Sequence, residues 1–124
     1  MIKMVTFNRA KDGVSAEEYR THYENVHVPL IRSLFPTLGP FRRNYVDRGR
    51  TALTERNARE AAADTGFDSI TEAFFADWGA FEAFRDRSAA PEVRARITAD
   101  EELFLDPSAI RRFIVAPEGD SPWS

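Results

Sequence analysis

Residues Ser15–Leu34 read SAEEYRTHYENVHVPLIRSL, and the fold follows from how that stretch is parsed. Ser15 and Glu18 fit the S-x-x-E capping box, in which each side chain satisfies a free backbone N–H, so a helix starts at Ala16. Tyr19, Tyr23, Val26, Leu30 and Leu34 recur at helical spacing and predict one buried stripe. His27 lies four residues after Tyr23 and three before Leu30, which puts it on one flank of the stripe, with His22 on the opposite flank. Pro29 lacks the N–H that would bond the Asn25 carbonyl, and Val28 before it is pushed away from helical angles. A helix over 16–34 that bends or restarts at His27 is the expectation.

Working outward, Ile2–Asn8 (IKMVTFN) is short and rich in strand formers, and Asp12-Gly13 makes the turn into the helix. Phe35-Pro36 and Gly39-Pro40 end the helix. Phe41–Asp47 (FRRNYVD) predicts a second strand, placed at a sheet edge because Arg42 and Arg43 occupy both faces. Residues 48–66 are polar and Ala-rich and read as an insertion loop. Phe67–Phe75 (FDSITEAFF) is the strongest strand. Asp77 caps a helix carrying Trp78, Phe81 and Phe84, and Pro91 opens a further helical piece with Val93, Ile97 and Ala99. Asp106-Pro107 stops it, and Ala109–Val115 (AIRRFIV) is the last strand. Residues 1–116 thus form a single domain, with 117–124 as a C-terminal tail.

The order strand, helix, strand, strand, helix, strand predicts an α+β fold, a ferredoxin-like βαββαβ arrangement with a four-stranded antiparallel sheet and helices on one face. Both faces of the third and last strands carry apolar residues, whereas a solvated antiparallel face would be polar. The chain has no element left to cover the second face, so a second copy is expected there, in a homodimer.

Composition excludes several classes. Lys plus Arg is 17 against 20 Asp plus Glu, a formal net charge of −3, which leaves no footprint for nucleic acid or an anionic membrane. Cysteine is absent, which removes disulfides and thiol chemistry and fits a cytoplasmic location. No apolar run approaches the ~20 residues of a membrane span, and the N-terminus lacks a basic-then-apolar leader. H-E-x-x-H, P-loop, G-x-G-x-x-G and serine-elbow motifs are all missing. His22 and His27 are five apart, on different faces of an α-helix, unlike an i, i+4 metal pair, so no metal site is expected.

The Ser15–Tyr19 helix start, His27-Val28-Pro29, FDSITEAFF leading into DWGAFEAF, and ADEELFLD (99–106) resemble, in that order and spacing, the EthD-type family of the dimeric α+β barrel superfamily. The resemblance implies a ferredoxin-like fold forming a dimeric α+β barrel. It also implies cofactor-free chemistry of the kind run by family members that are polyketide cyclases, decarboxylases or lactone isomerases, while other members are monooxygenase-like. A working histidine on the first helix corresponds to His27, and Asp100, an expected family position, is placed with the substrate-binding candidates and read as a structural cap or pair sooner than as a base.

Three residues are candidates for chemistry. The ordinary pKa of His27, about 6.5, suits proton transfer near neutrality, against the plainer reading of a helix histidine satisfied by a backbone carbonyl. Tyr23, one turn earlier, would orient it or bond a substrate oxygen, against a half-buried core role. Glu72 is a carboxylate in the most apolar strand, either poised with a raised pKa or paired with Arg111 or Arg112. For substrate binding, Asn8 and Thr6 share a face of the first strand, Arg42 with Arg43 offers a planar fork for a carboxylate, and Trp78 suits an aromatic pocket wall. The functional expectation is a small-molecule enzyme that moves a proton at a carbon next to a carbonyl, without a cofactor, on an apolar, aromatic or polyketide-like oxygenated substrate. The outcomes are cyclisation, isomerisation, dehydration or decarboxylation. Two alternatives stand beside it: a non-catalytic binding or accessory protein for a hydrophobic metabolite, and a cofactor-free or haem-dependent monooxygenase.

Overall fold

A computed structural model describes residues 1–47 and 66–115. Its elements are β1 (Ile2–Asn8), α1 (Ala16–His22), a π-helical turn (Tyr23–His27), α2 (Val28–Leu34), β2 (Phe41–Tyr45), β3 (Ser69–Phe75), α3 (Trp78–Ala89), α4 (Pro91–Phe104), a 3-10 turn (Pro107–Ala109) and β4 (Arg111–Val115). The sheet order is β2-β3-β1-β4 with every neighbouring pair antiparallel. This is the expected α+β, ferredoxin-like arrangement, with β2 at an edge as the paired arginines imply. Apart from Gly66, the expected insertion at 48–66 and the tail at 117–124 fall outside the described residues.

Local chemistry sets the element ends. The Ser15 side chain accepts from the Glu18 N–H at 3.1 Å and the Glu18 carboxylate accepts from the Ser15 N–H at 3.3 Å, completing the capping box. Asp77 accepts from the Ala80 N–H at 2.8 Å and starts α3. Between α2 and β2, a Cβ on Gly39 would stand 2.9 Å from the Phe74 carbonyl oxygen, so only glycine lets this loop lie against β3.

The helix does restart at His27, by a specific route. The Val28 N–H bonds the Tyr23 carbonyl, five residues back, in place of the usual four. Pro29 follows with no N–H to give to Asn25. The extra residue in this turn changes which side chains face inward. Buried positions run Tyr19, Tyr23, His27, Ile31, Phe35, one every fourth residue. In a straight α-helix that spacing drifts about 40° per step, and the π turn absorbs the drift. Val26, expected in the stripe, is therefore 46% exposed, and His27, expected on its flank, takes the buried place.

One face of the sheet packs on the helices. Ile31, Leu34 and Phe35 meet Val93 and Ile97 of α4, while Tyr19 and Tyr23 meet Phe104 and Leu105. Burying each of these large apolar side chains contributes roughly 1.5–3 kcal/mol. On the opposite face lie Val5, Phe7, Ile70 and Phe74, with Phe113 of β4 54% exposed. Phe7 and Phe113 meet edge to face there, 6.1 Å between ring centroids.

Candidate active site

Between the sheet and the helices is a cavity of about 340 Å³. Its walls are mostly apolar: Met4 and Ala73 on the sheet, Ile31 and Phe35 on and after α2, Phe81 and Phe84 on α3. Its polar lining includes Arg85 and Ser88 of α3, Arg94 and Glu101 of α4 and Arg112 of β4. β1 supplies Thr6 and Asn8, β3 supplies Thr71, and the first helical run supplies Tyr23 and His27. β1 and β3 alternate inward and outward, so the face bearing Thr6, Asn8, Thr71 and Ala73 is the one that looks into the cavity.

His27 is 6% exposed, and its Nδ1 lies 2.8 Å from Asp100 Oδ2. His22 Nε2 lies 2.9 Å from the other oxygen of the same carboxylate. An ionised carboxylate only accepts, so each ring donates the N–H that faces it. Neutral His27 then carries its proton on Nδ1 and a lone pair on Nε2, the nitrogen with no hydrogen bond among the described residues. Burial pushes the His27 pKa below its ordinary value of 6.5, and the hydrogen bond and charge of Asp100 only partly offset this. The group is thus a neutral base near pH 7. The two histidines, expected on different faces of the helix, lie on the same side of it. A π turn bonds residues five apart, which brings positions 22 and 27 to the same side.

Tyr23 stands edge-on to His27, 5.3 Å between ring centroids. Its hydroxyl lies 2.6 Å from Thr71 Oγ1 and accepts from the Asn8 amide at 3.3 Å. Burial, only partly countered by the Thr71 hydrogen bond, raises its pKa to about 12, so it remains a phenol. Asn8 spends one N–H on Tyr23, and its Oδ1 is buried without a partner among the described residues.

Three expected site residues lie elsewhere. Glu72 is on the opposite face of the sheet, where its carboxylate meets Lys3 at 3.2 Å and Asn44 at 3.2 Å. Burial raises its pKa, but the hydrogen bonds from Lys3 and Asn44 and the charges of Lys3 and Arg42 outweigh that and leave it below the usual value. Its partners are thus neither Arg111 nor Arg112, and strand alternation removes it from the cavity. Arg42 shares that outer face, its guanidinium 5.4 Å from the Phe74 ring centroid. The fork of its neighbour Arg43 is filled by Glu24, at 2.9 and 2.7 Å. Trp78 is 52% exposed at the first position of α3, one turn before the inward-facing Phe81. Asp100, a substrate-binding candidate in the sequence, does not line the cavity; its carboxylate accepts from His22 and His27.

Sequence reasoning passed over Arg94 and Glu101 on α4 and used Arg112 only as a possible partner of Glu72; all three border the cavity. Their signal was present. Arg94, Ile97, Glu101 and Phe104 fall at helical spacing, which threads two charges through an apolar stripe. Among the described residues no group of three or more His, Cys, Asp or Glu side chains is placed to hold a metal ion, and no helix is long and apolar enough to cross a membrane.

A four-stranded antiparallel sheet, helices on one face and a small cavity between them with an imidazole on its wall define an α+β, ferredoxin-like protein with a candidate small-molecule site. The family model of the EthD domain matches residues 11–108, and the chain belongs to that family. Among solved structures it is similar to At3g17210 from Arabidopsis thaliana, 18% identical over 94% of this chain and 95% of that one, with a TM-score of 0.62. An ethyl tert-butyl ether degradation (EthD) family protein from Bacillus halodurans is 17% identical over 94% and 97%, with a TM-score of 0.60. A dimeric ferredoxin-like protein of unknown function from Thermobifida fusca is 19% identical over 93% and 89%, with a TM-score of 0.50. At these identities the likeness is one of fold. Comparison with curated proteins gives no match.

Proposed function

We propose that this protein is a small-molecule enzyme in which His27 removes a proton from a carbon next to a carbonyl, without a cofactor. One observation carries the reading: the His27–Asp100 hydrogen bond of 2.8 Å fixes the ring so that Nε2 is left as a base on the cavity wall. The proton leaves carbon for Nε2, the imidazolium formed is stabilised by Asp100, and the electron pair moves to the carbonyl oxygen. Asn8 and Tyr23 are the polar groups available to hold that oxygen. Return of the proton to another carbon completes an isomerisation; attack of the carbanion on a second carbonyl of the substrate, whose oxygen takes the proton from the imidazolium, completes a cyclisation; departure of a β-hydroxyl as water with that proton completes a dehydration; and in a β-keto acid CO2 leaves in place of the proton and the carbon is then protonated. The apolar walls favour an aromatic or polyketide-like body. The working unit is a homodimer that covers the outer face of the sheet, in keeping with the Thermobifida fusca relative described as dimeric.

Deuterium exchange tests the reading without a known substrate. Aryl β-ketones are incubated with the protein in D2O, and loss of the α-proton signal is followed by NMR. Wild type is expected to accelerate exchange over buffer, and His27→Gln to lose about 10²–10⁴ of that acceleration. Exchange that survives His27→Gln overturns the role of the ring. A wild type that binds the ketones yet leaves exchange at the buffer rate is a carrier and no enzyme.

A further inference from the structure

One end of the cavity holds two guanidinium groups and a single carboxylate. Arg94 and Glu101 lie two turns apart on one side of α4, and Arg94 Nη2 donates to Glu101 Oε1 at 3.3 Å. Arg112 reaches the same carboxylate from β4, with Nη2 3.7 Å from Oε2, too far for a hydrogen bond. Two positive charges thus face one negative, and the mismatch is geometric as well as numerical. Arg94 Nε is buried with no partner among the described residues. A buried donor left unpaired is costly, and an incoming acceptor would relieve it. Burial raises the pKa of the Tyr23 hydroxyl, and the charges of Arg43 and Arg112 oppose it. Glu101, for its part, acts electrostatically on His27.

We propose that Arg94 and Arg112 form a carboxylate-binding subsite and that the ligand is a compact acid: an aromatic or otherwise apolar body whose carboxylate sits between the two guanidiniums. A guanidinium fork matches a planar carboxylate in shape, and Arg94 Nε with Arg112 supplies N–H groups from two elements. Glu101 holds the two arginines in place while the site is empty and neutralises only one of them. The volume of about 340 Å³, near the small end of ligand cavities, favours a small free acid over a long acyl chain on a carrier. This assignment rests on the reading of the cavity as a small-molecule site.

Calorimetry with three probes on the full chain tests it: 2-naphthoate, its neutral amide 2-naphthamide, and 2-naphthylphosphonate. Naphthoate is expected to bind at least tenfold tighter than the amide and tighter than the phosphonate, with a preference that shrinks as salt rises. Arg94→Met should abolish the preference and leave amide binding unchanged. Glu101→Gln, which frees both guanidiniums, should tighten naphthoate and leave the amide alone. It gives a second readout should Arg94→Met fail to fold. Equal binding of acid and amide by wild type overturns the carboxylate subsite while leaving the cavity and His27 intact. Tighter binding of the phosphonate overturns the choice of carboxylate in favour of a phosphate group. Binding of none of the probes overturns the subsite and the small-molecule cavity together.

Discussion

His22 and His27 hold opposite oxygens of one carboxylate, Asp100, at 2.9 and 2.8 Å. Phe104 packs against both rings, stacked on His22 at 4.4 Å and tilted to His27 at 5.2 Å. The outer histidine and the phenylalanine thus fix the carboxylate and the inner ring together, and the inner ring borders the cavity. A base whose tautomer is set by a buried carboxylate is ready to accept a proton without reorganising.

Asp100→Asn tests that relationship at an atom that does not line the cavity. An amide offers one acceptor oxygen and one NH2 group, so it cannot accept from both rings. The ring facing the NH2 must present a lone pair and move its proton to the other nitrogen. Imidazole 15N spectra should therefore show Nδ1–H on His27 in wild type and a changed tautomer at one histidine in the variant. Exchange activity should fall by about 10²–10⁴ if His27 is the ring that flips, and stability by about 1–3 kcal/mol. An unchanged tautomer at both histidines would show that the carboxylate does not set the proton position.

The pH dependence of stability should fall in two windows. His27 has a folded pKa below its unfolded value of 6.5, because burial disfavours the charged ring. Its contribution is whole above pH 6.5 and declines as pH falls through the lower folded value, where the unfolded chain binds the extra proton. Glu24 is held at about 2 against an ordinary 4.5. The hydrogen bond from Arg43 is the largest cause, burial opposes it, and hydrogen bonding to Tyr45 adds to the lowering. Its contribution is whole above pH 4.5 and is lost towards pH 2. Chemical denaturation across pH 2–8 should show both declines. His27→Gln should remove the upper one, and Glu24→Gln the lower. The acid limb of any catalytic profile should sit below pH 6.5, since the neutral ring is the base.

Much of this was legible in the chain. The S-x-x-E cap, the strand-rich runs around Ile2 and Ser69 and the Asp77 cap depend on local chemistry, and all formed, the Phe67–Phe75 run starting its strand only at Ser69. Pro29 announced an irregularity at His27. Its form could not be read locally, because a bend and an inserted residue both accommodate a proline. The choice is made by packing, which locks Tyr19 and Tyr23 into one cluster and Ile31 and Leu34 into another. Glu72 was misplaced because a carboxylate in an apolar strand looks buried until the strand's inward face is known. Arg94, Glu101 and Arg112 went unassembled because they meet across a helix and a distant strand.

The π turn makes a direct prediction about Val26. A regular α-helix would bury Val26 and turn His27 aside, whereas the observed turn leaves Val26 46% exposed. Val26→Glu should change stability by no more than about 0.5 kcal/mol, as for surface positions generally. Ile31→Ala, on the buried run, should cost about 2–5 kcal/mol. Urea denaturation of the two variants reads both. A large loss from Val26→Glu would mean that the helix keeps its α register and that His27 does not face the sheet.

Among the described residues nothing covers the outer face of the sheet. Val5, Phe7, Ile70, Phe74, Phe113 and Val115 all project from it, and Phe113 is 54% exposed. A face this apolar seeks a partner, and a two-fold contact with a second copy satisfies both subunits at once. The Lys3–Glu72 ion pair at 3.2 Å and Arg42 lie on the same face, so the contact would also be sensitive to register. Sedimentation equilibrium at micromolar concentration should give twice the chain mass, and Tm should rise with protein concentration. Phe113→Asp places a charge in the contact and should give monomers with a lower, concentration-independent Tm. A wild type that stays monomeric throughout would overturn the homodimer.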